Sequence, residues 1–378
     1  MKIAIMADLP VLSTGYGKIA YYFAKYLLRL GVDVVFFGLQ HMGFPVYVKV
    51  DGKYVEMYSC KGGAEPYLER CLREAKPDIV VHIRDAFAHT REFFPAPYHV
   101  KPVCQRYGVK SILWVPVQSE PLPKQYAQAC VDESDLTLVP TEWGKEQLVW
   151  TGVPYNHLEV LPWGFDPEVY HPLDSKPDKT EFGFSENSVA IGSIGVNDQA
   201  RKNWAGLLLA FQKVKKEIPE AELFLMTGSG AFHLPHFIEA LGVKGSVILP
   251  KHYMKEWGIP EDKLVRFYRC LDIYVSLSAA EGFNLPLLEA AVCGTRVVAS
   301  DHPNHREVLG SYGYFVKSYR IWPSTWSFDG AADPDDAASK IIEAVRSRDV
   351  RRFENLDRFR WDNIAKQFLK ILESRGWM

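Results

Sequence analysis

Four charged side chains, in two pairs far apart along the chain, are placed to do chemistry. Glu281 and Glu289 flank a loop-to-helix junction, and Arg201 and Lys202 stand together at the opening of another helix. Around the first pair, Asp272 to Leu277 is a β-rich apolar run and Glu281-Gly282-Phe283-Asn284 breaks it. Pro286 suits a first helical turn and Gly294 a helix end, so a helix is expected between them, with a buried strand starting at Val297-Val298-Ala299. A loop between a parallel strand and a helix N-terminus presents unpaired N–H groups and the positive end of the helix dipole, which together bind anions. Glu289 falls one turn past Leu285 on the same face. A carboxylate beside the anion and another a turn deeper suits a diphosphate carried between two polyhydroxylated sugars. The plainer alternative is a common strand–loop–helix in which Glu289 is a solvated helix residue.

Arg201 and Lys202 follow the apolar run VAIGSIG and precede the amphipathic stretch AGLLLAFQKVKKEI. This placement predicts an exposed helix start, where removing Lys202 costs the fold little. Solvated surface charge is the bland reading of both cations. Cations at the positive end of a helix are unfavourable unless an anion is bound there, which favours a diphosphate grip.

Other candidates lie in the first half. Gly15-Tyr16-Gly17 with Ala20 superficially matches a dinucleotide fingerprint. The glycines come well after the preceding strand, and VVFFGLQ ends without the acidic residue that would hold a ribose, so an NAD site is not expected. Gly15 to Gly17 are read either as a flexible turn or as contacts to an acceptor or a phosphate. Asp85 and the loop Gln118-Ser119-Glu120 fall at the carboxyl ends of strand-like runs, where ligands of parallel sheets gather. His82, inside a strand, reads as a core residue. The run DPDD at 333–336 introduces a helix, so acidic N-capping explains it more simply than a metal.

The elements that must position these residues alternate. Strand-like runs at Lys2–Ala7, Val32–Phe37, 79–83, 111–117 and 136–140 are separated by helical or polar stretches, the pattern of a parallel sheet covered on both faces. A loop is expected to run to Gly17 before the first helix. The segment 173–187, rich in Asp, Lys, Pro and Ser, reads as a linker, and the domain boundary is placed near 170. Runs 189–195, AELFLM, VILP and DKLVRFYRCL continue the alternation, and DNIAKQFLKILESRG closes the chain as a helix.

At 378 residues, with 47% hydrophobic and 24% charged residues, the chain has the composition of a soluble two-domain protein. A net charge of −2 gives no basis for a nucleic-acid partner. Six scattered cysteines fit reduced core thiols in a cytoplasm better than disulfides or zinc. No apolar run reaches membrane-spanning length and the amino-terminal stretch does not read as a signal peptide, so a cytoplasmic protein is expected. The 10 Trp and 19 Tyr leave peripheral membrane contact open.

The stretch EGFNLPLLEAAVCGTRVVAS resembles the signature of family-4 retaining glycosyltransferases: Glu, seven residues, Glu, a Cys-Gly turn and a Val-Val strand. TEWGKEQLVWTGVP and LEVLPWGFDPEVYHP resemble the end of the family's first domain. The likeness spans nearly the whole chain, strongly over 189–310 and weakly over 40–110. It implies the GT-B fold, two doubly wound Rossmann-like domains (1–170 and 171–359) facing each other across a cleft, with a terminal helix at about 360–378 packed back on the first.

It also implies the site. Glu281 contacts the transferred sugar, the backbone from Gly282 through Phe283 and Asn284 to Leu285 holds the donor diphosphate, and Glu289 accepts from the ribose hydroxyls. Lys202 matches a family Lys that grips the diphosphate. The family's Arg lies near Val196-Asn197, where this chain has no cation, and Arg201 is the substitute it offers. Lys202, Glu281 and Arg201 are thus the catalytic candidates, with Asn197 and Gly17 added on the donor side. Gly15, Tyr16, Asp85, Gln118 and Glu120 are the acceptor-side candidates. Gln118 departs from the His found in many family members and carries over sugar contact only. The base is expected around Pro250 to Tyr253. The implied reaction is metal-independent transfer of a hexosyl unit from a UDP- or GDP-sugar to the hydroxyl of a carbohydrate, lipid-linked or other acceptor, with retention and no cofactor. A sugar phosphorylase or epimerase and a degenerate nucleotide-sugar-binding module are the rivals.

Overall fold

The computed structural model describes residues 1–12, 14–89, 99–198, 201–228, 230–250, 259–323, 328–349 and 351–378. The chain divides into two compact units, Met1–Asp166 with Asp357–Met378, and Pro167–Leu356.

The first unit begins β1 (Lys2–Ala7), α1 (Gly15–Arg29), β2 (Asp33–Gly38), β3 (Val46–Val50) and β4 (Lys53–Ser59). It continues α2 (Glu65–Ala75), β5 (Ile79–Ile83), α3 (Val100–Arg106), β6 (Lys110–Trp114) and α4 (Lys124–Asp132). It then closes its sheet with β7 (Leu136–Val139), α5 (Glu142–Thr151) and β8 (Leu158–Val160). The strand order is β3-β4-β2-β1-β5-β6-β7-β8. All pairs are parallel except β3 with β4.

Two local features depart from the sequence reading. First, α1 starts at Gly15 and leaves no loop up to Gly17. Thr14 caps the helix, its hydroxyl accepting from the Gly17 N–H at 3.0 Å. Gly17 lies so close to the preceding turn that a Cβ there would stand 2.5 Å from the Leu9 carbonyl oxygen, so this position needs glycine. Second, β3 and β4 form a hairpin that the sequence reading passed over. Its signal was present: Asp51-Gly52 between two alternating runs, with both residues at positive φ (48° and 82°) as a tight two-residue turn demands. This hairpin and the loop before it expose Met42, Phe44, Val46, Tyr47 and Tyr54.

The second unit runs β9 (Val189–Ile194), α6 (Trp204–Glu217), β10 (Ala221–Met226), α7 (Leu234–Ala240), β11 (Val247–Ile248) and α8 (Glu261–Cys270). It continues β12 (Ile273–Ser276), α9 (Leu285–Val292), β13 (Arg296–Ser300), α10 (Pro303–Leu309), β14 (Tyr314–Val316), the antiparallel pair β15 (Ser318–Pro323) and β16 (Phe328–Ala332), and α11 (Pro334–Arg346). Asp333 caps α11 by accepting from the Asp335 and Asp336 amides, which accounts for the acidic run. Its main sheet is wholly parallel, ordered β11-β10-β9-β12-β13-β14.

The segment expected to be a linker is instead folded onto this unit. Lys179–Phe182 makes a 3-10 turn, and the Phe182 ring meets those of Phe267 (5.3 Å) and Phe224 (6.5 Å). Two aromatic residues at 182 and 184 outweigh the polar character of their surroundings, because burying an aromatic side chain contributes on the order of 2 kcal/mol. The final helix, α12 (Trp361–Ser374), belongs to the first unit, where Phe368 and Trp361 pack around Phe23.

In both sheets the chain starts near the middle and builds outward in two directions. The order reverses between β1 and β5 in the first unit and between β9 and β12 in the second. Side chains emerging after those adjacent strands share one crevice at their carboxyl ends, the ligand position of open α/β sheets.

Candidate functional site

Lys202 follows β9 and Glu281 follows β12, so the second unit's reversal point brings them together from 79 residues apart. The Lys202 ammonium donates to Glu281 Oε1, and Arg201 Nη1 lies 3.3 Å from the same oxygen. Arg201 also donates to Asp198, through Nε at 2.9 Å. The two loops are joined through the backbone as well, where the Ala279 N–H donates to the Arg201 carbonyl at 2.7 Å.

Lys202 does not open the helix as expected. Asn203, in the left-handed region at φ 50°, is the N-cap of α6, which leaves both cations in the turn before it. Nor is Lys202 exposed: its side chain is 12% accessible, and its stem runs along Gly195, where a Cβ would stand 3.0 Å from Lys202 Cε. The residue is therefore tied to the fold. Burial alone would raise the Glu281 carboxyl, but the Lys202 and Arg201 charges outweigh it and hold the group at about 2. Burial lowers the Lys202 ammonium, against the opposing pull of Glu281.

Behind Glu281 the 282–285 loop turns into α9. Asn284 adopts φ 72°, a conformation that Asn tolerates better than most residues, and no side chain caps the helix. Its amide donates to Ser276 Oγ at 2.9 Å and meets His305 Nε2 at 3.0 Å. The other His305 nitrogen faces the Ser300 carbonyl at 3.0 Å. Burial depresses His305, consistent with a neutral ring that donates to Ser300 and accepts from Asn284. Asn304 Nδ2 donates to the Glu281 carbonyl at 2.6 Å. Phe283 and Leu285 are buried, so backbone is what this loop has to offer a ligand.

Sequence reasoning missed Ser300, Asn304 and His305. Their signal was the polar run Asp301-His302-Pro303-Asn304-His305 straight after a Val-Val strand, at another carboxyl end.

Glu289 is 2% exposed, and Oε2 accepts from the Tyr268 hydroxyl at 3.0 Å, so the solvated alternative is excluded. Burial, then the Glu289 charge, raises Tyr268 well above the usual phenol range. Asn197 plays a different part from a displayed donor contact. Its side chain donates to the Gly228 and Phe232 carbonyls at 3.1 and 2.8 Å and accepts from the Phe232 N–H at 3.2 Å, fastening two loops together. Of the segment expected near the base, residues 251–253 lie outside the described residues.

The reversal point of the first unit assembles a second polar group. Tyr16, after β1, donates from its hydroxyl to Asp85 Oδ2 at 2.8 Å, and Gln118 Nε2 donates to Asp85 Oδ1 at 3.0 Å. Three acceptor-side candidates chosen for separate reasons thus meet. Burial, then the Asp85 charge, raises the Tyr16 phenol well above its usual value. Asp8 stands at the same strand end, accepting from Thr14 at 3.0 Å and Gln40 at 2.5 Å; neither it nor these partners was anticipated. Gly15 is exposed and a Cβ there would touch nothing, so no steric demand explains it. Glu120 lies half-buried beyond Gln118. His82 is 1% exposed inside β5.

Residues 175–366 match the family described as glycosyl transferases group 1, and residues 13–169 match glycosyltransferase family 4. Among characterised proteins, the chain is similar to the D-inositol 3-phosphate glycosyltransferase of Rhodococcus jostii, 30% identical over 66% of this chain and 55% of that one. It is also similar to the mannosylfructose-phosphate synthase of Agrobacterium fabrum, 24% identical over 60% of this chain and 50% of the relative. The matches thus span about half the length of these relatives. Among solved structures it resembles Anabaena HepE in complex with UDP and glucose (TM-score 0.70, 16% identity, 99% of this chain and 100% of that one). The sucrose-phosphate synthase of Thermosynechococcus elongatus is similar too (TM-score 0.73, 13% identity, 100% and 99%). No helix among the described residues is long and apolar enough to cross a membrane.

Proposed function

The chain belongs to the group 1 glycosyltransferases and has their two-domain, Rossmann-like GT-B fold, and on that premise we propose a retaining, metal-independent hexosyl transfer from a UDP- or GDP-sugar to an acceptor hydroxyl. The observation that carries this reading is the convergence of Lys202 and Arg201 on Glu281 at the second unit's reversal point. The hard step is expelling a diphosphate from an anomeric carbon with oxocarbenium character. Fixed cations aimed at the departing charge lower that barrier, because they are oriented before the reaction begins. The uncapped start of α9 adds backbone N–H groups and the positive dipole end.

Before donor arrives, Glu281 holds the two cations in place and keeps a buried charge paired. An incoming diphosphate takes over Lys202 and Arg201, which releases the Glu281 carboxylate toward the sugar hydroxyls. The C1–O bond to the diphosphate then breaks and the acceptor oxygen bonds to C1 from the same face. The acceptor proton passes to the departing phosphate oxygen, so atoms and charge balance without a side-chain base. Glu289 accepts from the ribose, while Tyr16, Asp85 and Gln118 hold acceptor hydroxyls. The acceptor is a carbohydrate, lipid-linked or other polyol in the cytoplasm, and the exposed aromatics near the β3–β4 hairpin suit a membrane-borne one. The HepE complex with UDP-glucose supports a UDP-sugar as the first donor to try.

The test is a thermal-shift screen against UDP-, GDP- and ADP-sugars, followed by NMR of the product formed from the donor that stabilises the protein. Release of nucleoside diphosphate with an α-linked product from an α-linked donor is expected. Inversion at C1 would overturn retention, and donor binding without transfer to any polyol would reduce the protein to a binding module.

A further inference from the structure

A second cluster of cations lies at the opposite, amino-terminal ends of the second unit's strands. A cavity of about 250 Å³ there is lined by Lys176, Asp272, Arg296, Tyr312, Tyr314 and Arg351, among others. Asp272 precedes β12, Arg296 opens β13, and Tyr312 and Tyr314 stand at the start of β14, so none of this wall belongs to the Lys202 site. We propose that this cavity is a binding site for a phosphorylated monosaccharide, separate from the donor site.

The reasoning rests on how the cations are held. Lys176 is balanced by Asp272 at 2.6 Å. The two guanidinium groups are oriented differently, by carbonyls and a ring. Arg296 Nη2 donates to the Ser347 carbonyl at 3.1 Å, and Arg351 Nη1 to the Gly313 carbonyl at 2.7 Å. Arg351 also lies 3.5 Å from the centre of the Tyr314 ring. Its Nη2 pairs with Glu343 at 3.9 Å, while Arg296 has no ion pair among the described residues. Two guanidinium groups oriented in one cavity, one without an ion pair among the described residues and the other with its carboxylate 3.9 Å away, repel each other, and their forks match a phosphate dianion.

Tyr314 contributes its ring to the wall, beneath the Arg351 guanidinium. Tyr314 is 3% exposed, and its hydroxyl has no hydrogen-bond partner among the described residues. Asp349 lines the same cavity as an acceptor for hydroxyl groups. Three cations against two carboxylates leave a net positive lining, with polar acceptors left for a sugar. The volume lies below the roughly 300 Å³ where pockets for drug-sized ligands begin, which favours a sugar phosphate over a whole nucleotide sugar.

Calorimetry on the full chain with glucose 6-phosphate, glucose and inorganic phosphate tests this. Glucose 6-phosphate is expected to bind the parent and the Lys202→Ala variant alike, and to lose at least about tenfold in affinity in Arg296→Gln, the change expected when a charged bidentate contact is removed. Arg296→Lys should recover only part of it, and glucose should not bind. Asp349→Asn, an exposed change that leaves the fold alone, should weaken glucose 6-phosphate but not inorganic phosphate. Unchanged binding in both Arg296→Gln and Asp349→Asn, loss in Lys202→Ala, or no binding at millimolar concentration would each overturn the site. Inorganic phosphate binding as tightly as the sugar phosphate would overturn its sugar component.

Discussion

The reversal points of the two sheets are built to one plan and filled with different chemistry. In the second unit, opposite charges meet: Lys202 and Arg201 neutralise Glu281, with neutral amides and an imidazole packed behind. In the first, carboxylates meet neutral donors, as Asp85 takes a phenol and an amide and Asp8 a hydroxyl and an amide. Fixed cations favour an anion whose charge grows during reaction. Carboxylates ringed by exchangeable neutral donors favour hydroxyl groups, which can replace those donors one for one. On the proposed reading, shared topology places the ligands and local side chains choose them.

Variants that disturb one reversal point and spare the other test this contrast most sharply. The largest effect is expected from Lys202→Ala. In the proposed mechanism its attraction to the diphosphate strengthens as the bond breaks, so kcat should fall at least about a hundredfold, on the order of 3 kcal/mol, with a smaller loss of donor affinity. The variant should also melt at lower temperature, since a buried Glu281 is left with Arg201 alone. A kcat within about threefold of the parent would mean that Lys202 supplies only uniform binding.

Next in size, Glu289→Ala should weaken free nucleoside diphosphate by about tenfold, as expected for a hydrogen bond to a charged group. Glu281→Ala should spare nucleotide binding and lower turnover. Equal calorimetric losses in the two variants would erase the distinction between ribose and sugar contacts.

In the first unit, Tyr16→Phe removes one neutral hydrogen bond. A rise of about fivefold in acceptor KM, with nucleotide affinity unchanged, follows from roughly 1 kcal/mol for such a bond. A change in nucleotide affinity instead would show that the first unit's cluster is not an acceptor group.

A gentler test is the dependence of stability on pH. The Glu281 carboxyl, lowered to about 2 in the folded chain, contributes stability that is complete above its unfolded value near 4.5 and is lost as pH falls toward 2. His305, also depressed, contributes stability present above 6.5 and eroded as pH falls below it. Urea titrations should find that Glu281→Gln flattens the lower window and His305→Gln the upper. Parent-like slopes in both variants would remove these groups from the linkage.

The smallest expected effect is none at all. If, as proposed, cations of the chain itself meet the leaving group, transfer should proceed unchanged in excess EDTA; activity lost on chelation and restored by Mg²⁺ or Mn²⁺ would contradict that.

Legibility from the sequence followed the range of the interactions involved. The β12–α9–β13 passage could be read residue by residue because strand period, Pro286 and Gly294 act locally. The boundary of α1 could not, since it depends on the Thr14 cap and on carbonyls of Leu9 and Leu12 that crowd Gly17. The meeting of Tyr16, Asp85 and Gln118 was legible only as three strand-end candidates. Their contact requires β5 to lie between β1 and β6, which no local pattern states. The burial of Lys202 escaped for the same reason. A lysine beside a helix start reads as surface until a carboxylate arrives from 79 residues away.

The affiliation of the last segment has a consequence for how the chain comes into being. Phe23, in α1, is buried against Trp361 and Phe368, which are synthesised long after it. Beside them, the Phe165 N–H donates to the Phe359 carbonyl at 2.9 Å and the Trp361 N–H to the Phe165 carbonyl at 3.2 Å, stitching the two crossings of the unit boundary together. A nascent chain can therefore complete the compact unit Pro167–Leu356 while the earlier-made part of the other unit still waits for α12. Vectorial synthesis finishes the second half first. Losing α12 would therefore damage the unit that begins the sequence, leaving the aromatic surface of α1 bare for chaperones and proteases to find.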